Sequence, residues 1–234
     1  MIRPVAMVFA EGFLDRLAAE RLVLAVGSTV EGTSSDAGGR DAFWRTIPRY
    51  NAAAPHLGLI LALADHDSRE CVGPRLKATL PHHHANLILR LSVPMLEAWL
   101  LADRTALAGF LHVPVAALPD DPDAVEHPKR EVVNIARRST RRQIREGMAP
   151  APGRGGLCGP LYTPTVEAFI ASAWDPLRAA KRSPSLHRAL RALRTATRSA
   201  TCSPPPPPHV ARRGAVAGAA VLRSPSVIRG ALIV

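Results

Sequence analysis

The chain has 234 residues, 47% of them hydrophobic and only 4% aromatic, and carries a formal net charge of +11 at pH 7. That length buries a real core, as one α/β domain with additions or as two small domains, and three scattered cysteines, Cys71, Cys158 and Cys202, argue against a disulfide framework or a zinc site. No apolar stretch reaches the length of a membrane span, and "MIRPVAMVFAEG" runs into an acid without a small-residue cleavage site, so a cytoplasmic protein with no membrane contact is expected.

Strand-like and helical stretches alternate through the first hundred residues. "VAMVFA" is strand-like, "EGFLDRLAAERL" helical and "LVLAVG" strand-like again, followed by a loop from Gly27 to Gly39. "RDAFWRTIPRYNAAA" predicts a helix interrupted near Pro48. Leu57 to Ala64 is a continuous apolar run, the pattern of a strand buried on both faces. A short helix around "GPRLKATL" and a strand in "ANLILRLS" complete the series. Such alternation implies βαβ units and a mostly parallel sheet, in which ligands collect at the carboxyl ends of the strands.

Acids fall at two of those ends. The apolar run breaks into Asp65, His66 and Asp67, and along an extended backbone side chains i and i+2 project together. The paired carboxylates suit a shared proton or a hard divalent cation such as Mg²⁺, while the alternative is a solvated acidic loop. Glu11 follows the first strand in the same way. Next, "PMLEAWLLAD" opens a helix at Pro94 and sets Glu97 one turn in, where it is either a further metal ligand or an acid favoured by the helix dipole.

Net charge is zero over residues 1–100, +7 over 101–200 and +4 over 201–234, so the basic excess follows the acids and points to an acidic partner such as nucleic acid. "PKREVVNIARRSTRRQIRE" predicts one helix that lines up Arg137, Arg138, Arg141, Arg142 and Arg145 as a phosphate-binding stripe, with a solvated charged face as the alternative. Lys129, at its start, is a candidate transition-state cation. "PAPGRGGLCGP" reads as a connector. Thr163-Pro164, Asp175-Pro176 and Ser183-Pro184 each mark a helix start. Residues 201–234, with five consecutive prolines, lack any periodic face and predict a disordered tail. The organisation expected is an α/β domain over 1–109, a basic helical extension over 110–199 packed on it, and the tail over 200–234.

"VFAEGFLDRLAAERL" followed by "LILALADHD" resembles the TOPRIM domain of primases, topoisomerases and overcoming-lysogenization-defect nucleases. The later segments "MLEAWLLADRTALAGFLHV", "HPKREVVNIARRSTRRQIRE", "GPLYTPTVEAFI" and "WDPLRAAKRSPSLHRALRALR" are similar to a bacterial family grouped with TOPRIM-like proteins, extending the resemblance to roughly residues 1–198. The resemblance implies a Rossmann-like TOPRIM fold with Glu11 as metal ligand or general acid/base and Asp65 and Asp67 as the metal-binding pair. Gly12 would let the turn pass close to phosphate. His66 between the aspartates departs from the usual pattern. The function expected is a Mg²⁺- or Mn²⁺-dependent phosphodiesterase acting on nucleic acid, in the setting of bacterial defence. The alternative is a non-catalytic nucleic-acid-binding or partner module. With no phosphate-loop motif in the chain, any ATP-driven role needs a partner ATPase.

Overall fold

A strand with apolar side chains on both faces needs cover on both faces, and the sheet is built around this requirement. The computed structural model of the chain describes residues 2–66, 72–151, 153 and 155–198; Asp67 and the expected disordered tail lie outside the described residues. In chain order the elements are β1 (Met7–Ala10), α1 (Phe13–Ala25), β2 (Ser34–Asp36), α2 (Arg40–Leu57), β3 (Ile60–Asp65), α3 (Val72–Thr79), β4 (Leu87–Ser92), α4 (Leu96–Ala102), α5 (Arg104–Leu111), α6 (Pro128–Ala136), α7 (Arg142–Met148), α8 (Tyr162–Ser172), α9 (Pro176–Ala179) and α10 (Pro184–Arg198). All strand pairs are parallel, in the order β2-β1-β3-β4. The fold is thus α/β and Rossmann-like with helices following the sheet, as the alternation implied.

Ile60 to Ala64 of β3 are wholly inaccessible to solvent. Alternate residues serve two cores: Ile60, Ala62 and Ala64 pack with Phe9, Phe43, Trp44 and Ile47, while Leu61 and Leu63 pack with α1 and the later helices. The second core is the larger, and it joins the sheet to the helical half. Trp99 and Trp174 lie at its centre, where Trp99 Nε1 donates to Ser185 Oγ at 2.7 Å and Trp174 Nε1 donates to the Trp99 carbonyl at 3.3 Å. The described residues belong to one compact unit.

Several local expectations are corrected. "LVLAVG" is not a strand: Leu22 and Val23 complete the buried face begun by Ala18 and Ala19, so the apolar run is the last turn of α1. The second strand is instead the three-residue Ser34–Asp36, inside the expected loop, paired with Val8, Phe9 and Ala10. Pro48 does not interrupt α2, which continues through it to Leu57. Pro94 precedes α4 rather than opening it, and the cap position is Met95. Thr163 lies inside α8, which is capped by Leu161. The other two starts are as expected: Asp175 accepts from the Leu177 and Arg178 amides, and Ser183 Oγ from the Leu186 amide.

Candidate functional site

Strand order creates a crevice before any side chain is considered. The chain moves from β1 outward to β2 on one side, then returns to β3 and proceeds to β4 on the other, so the loops after β1 and β3 diverge. Such a switch point is where open α/β sheets bind ligands. Glu11 directly follows β1, its amide donating to the Leu63 carbonyl at 2.9 Å, and Asp65 ends β3. These two acids therefore flank the crevice. The Arg40 Nε, at the start of α2, is 4.0 Å from Glu11 Oε1.

Asp65 is held by donors from the next elements. Ser92, its register partner on β4, donates Oγ to Asp65 Oδ1 at 2.6 Å, and the Leu96 amide at the start of α4 donates to the same oxygen at 2.8 Å. One carboxylate oxygen thus ties the end of β3 to the helical half.

Asp15 is the residue that sequence reasoning missed. It sits in the first turn of α1, and its Oδ2 accepts the Gly12 amide at 3.1 Å, the N3-to-cap half of a capping box. Glycine at position 12 makes room for it, because a Cβ there would lie 3.2 Å from that same oxygen. Asp15 Oδ1 is buried without a hydrogen-bond partner. Burial, then the charges of Asp65, Glu97 and Glu11, push its carboxyl well above the usual carboxylate range. Four acids from β1, α1, β3 and α4 therefore share one electrostatic neighbourhood. A glycine followed three residues later by aspartate was the available local signal.

The helical half closes this neighbourhood. Glu97 is only 5% exposed, and Tyr162, at the start of α8, donates its hydroxyl to Glu97 Oε1 at 2.7 Å. Burial, then Glu97 as charge and as hydrogen-bond acceptor, raises the Tyr162 phenol far above its ordinary range, so it remains a donor. Lys129 Nζ, from the first turn of α6, lies 5.2 Å from the Tyr162 ring centroid. Burial raises the nearby Cys158 thiol, Lys129 opposing this and Glu97 adding to it. Lys129 and Glu97, separated by more than thirty residues, are thus brought together around Tyr162. The lone Tyr162 gave no sequence signal.

As the side chains stand, no three His, Cys, Asp or Glu residues among the described ones are gathered to hold a metal ion. Glu11, Asp65 and Glu97 share the neighbourhood of Asp15, whereas Asp67 is outside the described residues. The donor set is all oxygen, which suits Mg²⁺ or Mn²⁺ rather than softer ions.

The arginine run is not one helix. Between α6 and α7 the buried Ser139 forms a turn, its Oγ accepting the Arg141 amide at 3.0 Å, while the Thr140 amide bonds to the His112 carbonyl. Arg137 caps the end of α6, Arg138 lies in the break, and Arg141 caps the start of α7. Arg145 Nη1 folds back onto the Ser139 carbonyl at 2.7 Å, and Arg142 Nε is shared by both Glu146 oxygens at 2.9 and 3.0 Å. The five-arginine stripe of a continuous helix is therefore absent. "PAPGRGGLCGP" returns the chain from α7 to α8, with Gly159 donating to the Met148 carbonyl at 2.8 Å.

No family model, curated protein or solved structure matches the chain.

Proposed function

We propose that the crevice between the β1 and β3 loops is a divalent-cation site, for Mg²⁺ or Mn²⁺, serving phosphodiester hydrolysis of nucleic acid. The observation that carries this reading is the placement of Glu11 just after β1 and Asp65 at the end of β3, on either side of the switch point of a parallel sheet, with the buried, unpartnered Asp15 Oδ1 in the same electrostatic neighbourhood. Their mutual repulsion is a negative surplus that a divalent cation would neutralise. Glu11, Asp65 and Asp67 are the proposed ligands, with Glu97 available to a second ion. A bound cation would polarise a phosphoryl oxygen and acidify a water molecule. The chain's own contribution is positional: Ser92 and the Leu96 amide fix Asp65, Tyr162 fixes Glu97, and Lys129 beside them is the proposed cation for the phosphoryl oxygens.

The test is incubation of the full chain with end-labelled DNA and RNA, with Mg²⁺, Mn²⁺ or EDTA. Metal-dependent cleavage that is abolished in Asp65→Asn, with the thermal transition retained, is the expected result. Cleavage surviving in Asp65→Asn removes the assignment. A second reading, a non-catalytic binding or partner module working beside an ATPase, draws on the absence of three gathered ligands among the described residues. Nucleic-acid binding without metal-dependent cleavage would favour it.

A further inference from the structure

Among the described residues, exposed arginines without ion pairs line α10 as well as the region of α6 and α7. From Lys181 to Arg198 the sequence holds six lysines and arginines and no acid. Leu186, Ala189, Leu190 and Leu193 face the core, while Arg188, Arg191, Arg194 and Arg198 are exposed along the outer side. None of these four arginines has an ion pair among the described residues. Arg90 of β4, the strand α10 packs on, is half-buried, with its Nε buried and unpartnered. Burial first, then the nearby charges of Arg188 and Arg191, lower the Arg90 guanidinium from its ordinary range. Arg90, with its buried Nε unpartnered, thus sits on the strand against which α10 packs, and neither it nor the α10 arginines has an ion pair among the described residues, an arrangement that an anion would relieve.

The direction of this row matters. Ser185, at the start of α10, donates Oγ to the Val93 carbonyl just beyond β4, and the Thr197 carbonyl near its end accepts the Arg3 amide ahead of β1. The helix therefore runs back along the sheet from its carboxyl end, over about 22 Å for its length. Arg90 and Ser92 project to the same side of β4, about 7 Å apart along the strand. Ser92 in turn holds Asp65.

We propose that Arg90, Arg188, Arg191 and Arg194 form a binding track for the sugar–phosphate backbone of a nucleic acid, leading to the carboxyl end of β4. The assignment deepens the phosphodiesterase reading by naming the backbone surface that serves the same site. Arginine forks grip phosphate in pairs, and a row of them positions a backbone without reading bases. A lipid surface suits the helix poorly because its apolar side is already in the core. A protein partner would need an apolar centre, and no exposed large hydrophobic residue lies on α10.

The test measures fluorescence anisotropy of a labelled 24-nucleotide single-stranded DNA, its duplex and the matching RNA against the full chain, in EDTA at 50–200 mM KCl. In Arg188→Gln/Arg191→Gln/Arg194→Gln the slope of log affinity against log salt should flatten by about 2 to 3 units for duplex, with an affinity loss of about tenfold or more at 50 mM KCl. The corresponding triple lysine variant should keep most of the slope, and Arg137→Gln/Arg141→Gln/Arg145→Gln should flatten it less than the α10 glutamine variant does. Circular dichroism melts confirm that each variant folds. No oligonucleotide binding by the natural chain overturns the proposal, as does an unchanged slope in the α10 glutamine variant. Binding to phosphatidylserine vesicles in place of oligonucleotides also overturns it. Because EDTA removes metal, track binding can fail or survive independently of cleavage, so the two readings are separable.

Discussion

Asp15 carries the charge conflict at the centre of the site, and its protonation has a definite sign. Its folded pKa is raised by burial and by Asp65, Glu97 and Glu11, so the native chain binds a proton there more tightly than the unfolded chain does. Stability must then fall as pH rises from the ordinary carboxylate range towards the raised value. Asp15→Asn removes the conflict and can still accept the Gly12 amide. In EDTA it should be more stable than the natural chain at pH 7.5, with the gap closing as pH drops below about 4. Thermal melts across that range check this; an Asp15→Asn chain less stable at pH 7.5 contradicts it. The site was partly legible at this scale. Glu11, Asp65 and Glu97 stand out because strand ends and helix starts are readable, whereas Tyr162 and Asp15 become significant only when α1, α4 and α8 meet.

Among the elements, α9 is the joint between the helical half and α4. Asp103, 1% exposed, accepts Arg178 Nη2 at 2.7 Å and the Asp175 amide at 2.9 Å. Asp103 also accepts Arg178 Nε, making the pair two-pronged. Removing the cation leaves a buried carboxylate without its charge partner. For a fully buried pair that costs about 3–5 kcal/mol, and the solvent exposure of Arg178 lowers the expected loss to about 1–3 kcal/mol in Arg178→Met. Urea unfolding measures it, and a loss no larger than that of Arg182→Met would contradict the role given to the pair. Element legibility followed burial. β3 was readable from the apolar run Leu57–Ala64, although Leu57 is the exposed last residue of α2 and the strand itself is Ile60–Asp65. β2 was not, because Ser34, Ser35 and Asp36 have no apolar signature and form a strand only by pairing with β1. The last turn of α1 was mistaken for a strand because a short apolar run has no visible period.

Among the described residues, acids stand at the switch point and arginines without ion pairs line α10. No helix among the described residues is long and apolar enough to cross a membrane. The basic excess was visible in the sequence, but not its location, because the break at Ser139 and the packing of α10 on β4 decide which arginines stand together. The central claim is that the acids form a cation site, and Mn²⁺ titration followed by electron paramagnetic resonance tests it most directly. The natural chain should bind Mn²⁺ saturably, with Mg²⁺ competing and affinity weakened at least about tenfold in Asp65→Asn, since one lost carboxylate ligand removes both charge and a donor. Absence of saturable binding, or equal affinity in Asp65→Asn, would contradict it.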